Sequence, residues 1–577
     1  MRTTGIRTPR RLLLMAATVT ALLLLLVAAA PALASDGVRV LPDSQDGGTA
    51  WQYGADVSGH FVVYVQGTDP TSDEGTIALK SLDNDHTPIT LSVGLAGGVK
   101  GIQPRILVYD DKIYVVWSQI DLTTFDTDVW IWQGTYDAGT EWFTADEGFP
   151  KPFVTGTDSS GDVPITSSQW APSIGLVHLP NGSDHIVAAW EDSRDNGPYA
   201  PLIYYADLTS DQSYTDPSWI DNGGPATNGA AIDQTDVLAR GQHTPDIGYS
   251  GIYWLDERWS FWDQGNLTDT AVWRASFTAE GLVAGPFFSD ANHSYDEGFS
   301  GGTGGGPRAT GSGAVWLRQG PYADRWAYEP VTKSPRSTLQ TVCPTTGPTS
   351  PDAWYTPGQT ATGIALSGAH LDRADAIDQD VFFYDPATRQ RMPVCDLGNP
   401  AGATMDGTPD YWRKQQYEPA IGPAPGGYRV VWTDNRDAAP TAGEDTADAR
   451  LYEAFVPTVT IKAGTSLRFG KTLVISSTVT PNFAGSKARL ELVKSTTRYG
   501  AAVYTTLRSK YATTKTLSGA STASWSFKPT AKGTYLVRVR FLGGAKYAYD
   551  GQTIAGPDFV AVPHVPNVSK VVKIVVK

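Results

Sequence analysis

The stretch Ala188-Ala189-Trp190-Glu191-Asp192-Ser193-Arg194, followed after a polar loop by Ile203-Tyr204-Tyr205, decides how the chain is read. A short apolar run ends in an aromatic anchor, and an alternating aromatic segment returns beside it, which is the pattern of two paired strands. Working outward, the same unit recurs at Trp254-Leu255-Asp256-Glu257-Arg258 with Val272-Trp273-Arg274, and at Trp432-Thr433-Asp434-Asn435-Arg436 with Leu451-Tyr452-Glu453-Ala454. Upstream of each lies a proline before an apolar position: Pro172-Ser173-Ile174, Pro245-Asp246-Ile247 and Pro419-Ala420-Ile421. Two further copies keep the proline and the tryptophan, one from Pro104 through Trp117 to Trp132 and one from Pro307 through Trp316 to Tyr328. Two weaker ones carry Tyr64 or His370 at the anchor position.

Successive anchors stand 53 to 73 residues apart, room for four short strands and their loops. Repetition at that length predicts an all-β propeller in which each four-stranded blade buries its faces against its neighbours. Seven blades fit best, with six or eight as alternatives and an array of β-sandwiches as the competing architecture. The repeated WxDxR resembles the secreted bacterial β-propeller proteins with VVWxDxRxGxxDIY repeats, loosely called TolB-like. Gln66, Gln119 and Arg318 stand where that pattern has Asp, and His370-Leu371-Asp372-Arg373 shifts the Arg. The resemblance implies the fold and leaves the function open, because one fold hosts many functions.

Recurrence in several blades argues that Asp192 with Arg194, Asp256 with Arg258 and Asp434 with Arg436 hold blades together. The same residues, with the loop aromatics Trp259 and Trp262, are also the candidate ligand contacts at a propeller face. Asp121, Asp126 and Asp128 form the acidic loop best suited to a metal, and calcium is the one cofactor such oxygen-rich loops would take.

From residue 457 the pattern changes to the strands of a smaller sandwich, including Leu473 to Val479, Ala488 to Val493 and Gly533-Thr534-Tyr535-Leu536-Val537-Arg538-Val539-Arg540-Phe541. The last of these resembles the penultimate strand of bacterial Ig-like domains, with Tyr535 at the position of a corner tyrosine, and implies an Ig-like sandwich. Charge divides at the same place. Residues 35–456 carry a net charge of −34 and residues 457–577 of +15, which with +4 in the first 34 residues gives the −15 of the whole chain.

Four arginines precede the apolar run Leu12 to Ala30, and Ala32-Leu33-Ala34 supplies a signal-peptidase site. Residues 1–34 therefore read as a secretory leader, with a retained anchor as the alternative, and no later segment is long and apolar enough to span a membrane. In an oxidising compartment Cys343 and Cys395 are expected to form a disulfide. Two cysteines and the absence of GxxxxGK[ST], HExxH and GxSxG disfavour nucleotide chemistry, zinc proteolysis and the common serine-hydrolase layout. No catalytic residue is singled out.

These observations predict an exported, cell-surface or extracellular binding protein whose propeller takes a glycan or a surface protein. The basic 457–577 domain would act as a spacer or as an electrostatic holder on anionic envelope polymers, and nucleic acid is a disfavoured partner. A secreted glycosidase or lyase is the alternative reading, and a purely structural spacer a third.

Overall fold

The computed structural model describes residues 38–41, 51–67, 75–84, 86–92, 98–153, 168–193, 201–209, 242–249, 251–256, 262–263, 266–267, 271–277, 279, 283–288, 307–310, 313–318, 325–330, 340–344, 364–369, 379–385, 390–395, 416–434, 449–481, 483–494, 496–498, 501–503, 513–543 and 567–577. Among them the secondary structure is all β.

Seven antiparallel sheets follow one another along the acidic half, and they are the blades of a β-propeller. Blade 1 starts at Trp51–Ser58, blade 2 at Val99–Tyr109, blade 3 at Gln169–His178, blade 4 at Gln242–Gly248, blade 5 at Arg308–Thr310 and blade 7 at Gln416–Ala424. The described part of blade 6 comprises Ile364–Ala369, Gln379–Asp385 and Gln390–Cys395, so the weak repeat around His370 does mark a blade, although His370 itself lies outside the described residues. Within blades the predicted pairs face each other: Trp117 with Trp130, Trp190 with Tyr204, Trp254 with Trp273, and Trp432 with Tyr452. Three of these pairs repeat nearly the same stacked geometry, at 6.4, 6.5 and 6.3 Å between ring centroids.

The cores lie between blades rather than within them. Val63, Val65 and Leu79 of blade 1 pack on Ile106, Val115 and Trp117 of blade 2, and equivalent clusters join blade 2 to 3, 3 to 4, 6 to 7 and 7 back to 1. A strand of alternating large side chains buries both faces only when a neighbouring sheet lies on each side, so the repeat itself forces the ring.

The ring closes by a strand exchange. Val38–Arg39 pairs antiparallel with Arg450–Lys462, the third strand of blade 7, and so completes that blade from the other end of the chain. Val40 and Leu41 continue into the core shared by blades 7 and 1. Arg429 of blade 7 is buried and reaches Asp83 of blade 1 at 2.6 Å and Glu453 at 3.6 Å. Burial pushes Asp83 up, but His60 and Arg429 together hold its carboxyl below the ordinary value.

Arg450–Lys462 does not stop at the propeller. Its first half pairs with Gly427–Asp434 of blade 7, and its second half, Thr458 to Lys462, pairs with Leu473–Thr480 of the C-terminal unit. The expected boundary between residues 456 and 457 thus falls inside one continuous strand. The C-terminal unit is a two-sheet sandwich with a common core of Val459, Ile475, Trp525, Tyr535, Val537 and Ile574. Tyr535 Oη donates to the Ala531 carbonyl at 2.8 Å, four residues upstream. Gly426, at φ +86°, sits where a Cβ would lie 2.7 Å from Pro481 N, so the blade 7 hairpin abuts the sandwich directly.

No disulfide forms among the described residues. Cys395 is buried in blade 6, and the Cys343 side chain lies outside them.

Candidate functional site

The conserved geometry of the blades is a bulge in the first strand. Pairing with the second strand slips between Tyr53 and Asp56, Ile102 and Arg105, Trp170 and Ser173, His243 and Asp246, and Tyr417 and Ala420. At each slip one residue takes a left-handed backbone: Gly54 (φ 60°), Gln103 (54°), Ala171 (49°), Thr244 (50°) and Glu418 (51°). In four of the five the next residue is the proline of the repeat, which disfavours right-handed helical backbone before it and brings no N–H that the broken ladder would orphan.

At three of the five bulges the exposed amide is captured by the preceding blade. Gly54 N donates to Glu418 Oε2 at 2.6 Å, Ala171 N to Gln103 Oε1 at 3.0 Å, and Thr244 N to Glu191 Oε1 at 2.7 Å. Where the bulge residue is too short to accept, as Ala171 is, Glu191 beside the anchor Trp190 takes over. Two positions further on, Asp56 Oδ2 accepts from Ile106 N at 2.9 Å and Asp246 Oδ2 from Ala309 N at 2.8 Å, again across a blade junction.

The bulges turn these side chains into the channel at the propeller axis, where they enclose a cavity of about 410 Å³. Such a volume suits a small molecule or the end of a polymer. Its wall is drawn from six blades: Trp51 and Tyr53, Gln103 and Arg105, Ala171, Thr244, Arg308, and Glu418 all contribute. The Trp51 and Tyr53 rings are stacked, with centroids 4.4 Å apart. Burial pushes the Glu418 carboxyl up to about 7, against the pull of Gly54 N, Thr433 and the Arg105 charge. Burial likewise raises Asp56, and Arg105 opposes it. Trp51 Nε1 and Thr244 Oγ1 are buried without a hydrogen-bond partner. Paired carboxyls of raised pKa, a cation and unmet donors in one enclosed space are the marks of a ligand site.

Of the residues expected from the sequence, Asp192 and Asp434 lie elsewhere. Asp192 and Asp434 are buried, and each accepts from the indole Nε1 of its own anchor, Trp190 or Trp432, at 3.1 Å. They are blade-core groups with no surface to offer a ligand. Gln119 does the same for Trp117 at 3.4 Å, and Gln66 accepts from Tyr64 Oη at 3.4 Å, so the apparently degraded copies keep the bond. Arg194, Arg258, Arg436 and Trp259, and the side chains of Asp256 and Trp262, lie outside the described residues.

The acidic loop expected to suit calcium is the one that carries Asp121, Asp126 and Asp128. Asp121, Asp126 and Asp128 do meet at one turn, but Asp121 Oδ1 accepts from Thr123 N at 2.7 Å and Asp126 Oδ1 from Thr127 N at 3.0 Å. Burial and the two neighbouring carboxylates push Asp128 up to about 6. Among the described residues no group of three or more His, Cys, Asp or Glu could hold a metal ion.

What the sequence reading passed over is the set flanking the prolines: Gln103 and Arg105 around Pro104, Glu418 before Pro419. The signal is the repeated proline, whose preceding residue takes the left-handed backbone of the bulge.

No protein-family model and no curated protein matches the chain. Among solved structures it is similar to a puromycin hydrolase mutant complexed with PGG, at 13% identity and a TM-score of 0.40 over 78% of this chain and 61% of that one. It is also similar to the acylaminoacyl peptidase of Pyrococcus horikoshii, at 8% and 0.35 over 76% and 59%. A third is the β-propeller domain of the Trilobed protease from Pyrococcus furiosus, at 9% and 0.29 over 66% and 89%. The chain spans about six tenths of the length of the first two. The activities in those names belong to those proteins.

Proposed function

We propose that this is an exported binding protein whose propeller receives a glycan in its central channel, while the basic sandwich keeps it near an anionic cell envelope. The observation that carries the reading is the axial cavity, in which stacked rings and polar groups with unmet hydrogen-bonding capacity are held by a rigid ring of inter-blade bonds. Aromatic faces take the apolar side of a sugar, and fixed donors and acceptors select its hydroxyls. Export is supported by the leader-like first 34 residues, and an Ig-like identity for the sandwich by its two-sheet core and the Tyr535 bond.

For the sandwich, the exposed cations Lys462, Arg468, Lys471, Lys570, Lys573 and Lys577 support electrostatic holding. Arg538 and Arg540 do not contribute, because both are engaged by Glu491, at 2.6 and 3.0 Å.

The test is calorimetric titration of the whole protein with a panel of oligosaccharides, together with Trp51→Leu. Saturable binding that this substitution weakens supports the channel; binding that it leaves untouched places the ligand elsewhere. A second reading, hydrolysis, is favoured by one observation: Glu418 holds a proton near neutral pH at the cavity wall and makes hydrogen bonds through Oε2 to Gly54 and Thr433. Appearance of reducing ends from the same panel, abolished by Glu418→Gln, would establish it. Envelope holding is tested by co-sedimentation across a salt series, comparing the protein with a variant in which Lys570, Lys573 and Lys577 are changed to Glu.

A further inference from the structure

We propose that the ligand of the channel carries a carboxylate, held by the Arg105 guanidinium, so that the glycan is acidic: a uronate residue or the uronate end of a chain. The inference rests on the channel reading above and names the chemistry the cavity selects.

Arg105 follows Pro104 at the blade 2 bulge and is half-buried at the cavity wall. Two carboxyl groups lie within its electrostatic reach, Glu418 and Asp56. Both are turned to main-chain amides instead: Glu418 Oε2 to Gly54 N at 2.6 Å, and Asp56 Oδ2 to Ile106 N at 2.9 Å. Arg105 consequently makes no hydrogen bond or ion pair to a described residue. A half-buried guanidinium whose planar fork of donors meets no acceptor of the described residues is open to a ligand, and the group it fits bidentately is a carboxylate.

The rest of the wall agrees. Gln103 has its Oε1 engaged by Ala171 N, which orients the side-chain amide with Nε2 as the remaining donor beside Arg105. Arg308 and Lys100 line the same space, each with an interaction of its own. Burial pushes the two acids of the wall toward their neutral forms. With Arg105 open to a ligand and those acids weakened, an anion meets less repulsion in the cavity than on the strongly acidic outer surface of the propeller.

The experiment compares galacturonate and glucuronate with galactose and glucose, pairs that differ in the carboxylate, by titration calorimetry on the whole protein, on Arg105→Gln and on Arg105→Lys. The expected result is at least tenfold tighter binding of the uronates, a loss of that preference in Arg105→Gln, and a partial loss in Arg105→Lys, which keeps charge without the fork. Near-ultraviolet circular dichroism verifies that each variant is folded. If neutral sugars bind as well as uronates and Arg105→Gln changes neither, the carboxylate inference fails while the channel reading stands. If no sugar of either kind binds, both fail.

Discussion

Trp432 and Asp434 show what a two-residue motif does in a blade. The indole N–H of a fully buried tryptophan needs an acceptor, and the residue two positions on lies on the same face of the strand. Replacing Asp434 by Ala leaves that N–H unmet and is expected to cost about 1–3 kcal/mol, whereas Asp434→Asn retains an acceptor and costs less; urea midpoints of the two variants check the order. Asp128 makes the opposite case, because its neighbours are like charges. Its folded pKa of about 6 lies above the ordinary 3.8, so the folded state favours the protonated form. The stability this group contributes is present in acid and is lost as pH rises through the interval between those values. Asp128→Asn should therefore stabilise the protein at pH 7.5 by on the order of 1 kcal/mol once solvent screening is allowed for, seen as a higher melting temperature, and leave it unchanged near pH 4, where the wild-type carboxyl is largely protonated in the fold.

At the scale of the element, the first-strand bulge is the device that repeats. Gly54 and Ala171 occupy equivalent left-handed positions, and they make a reciprocal test. A Cβ on Gly54 would find its nearest neighbour, Val65 Cγ2, at 3.8 Å, so Gly54→Ala meets a backbone cost of about 1 kcal/mol and no clash. Ala171→Gly removes the same strain and should be neutral or slightly stabilising by chemical denaturation, the relief being offset by the entropy of glycine. Such bulges also explain which parts of the molecule could be read from residues. Alternation and spacing announce strands, anchors and blade count, since Trp190, Trp254 and Trp432 recur with their partners at fixed register. Alternation carries no sign of where a ladder slips, and the slip decides that Gln103, Arg105 and Glu418 turn inward. WxDxR is polar and repeated, but its Asp recurs because a buried tryptophan anchor has an indole N–H to satisfy. Arg105 and Glu418 occupy neighbouring positions of the same bulge in different blades and differ in residue type, which is why no repeat search singles them out.

The whole ring depends on one short strand from the far end of the chain. Val40 and Leu41 bury their side chains between blades 7 and 1, and Val38–Arg39 covers the open edge of the last sheet. A chain that begins at residue 42 should lose about 3–5 kcal/mol from the two aliphatic side chains alone, with earlier cleavage in limited proteolysis than the parent protein. The strand Arg450–Lys462 has a different consequence. Because it belongs to a propeller sheet through one half and to a sandwich sheet through the other, tension applied at the sandwich is transmitted along a hydrogen-bonded backbone into blade 7, without a slack tether to absorb it. The load reaches Glu453 and its partners Arg429 and Val38 directly, at the seam where the ring is closed. A protein held by its basic end and pulled by whatever fills its channel would feel that force as shear on the closure, and single-molecule extension should find the first rupture there.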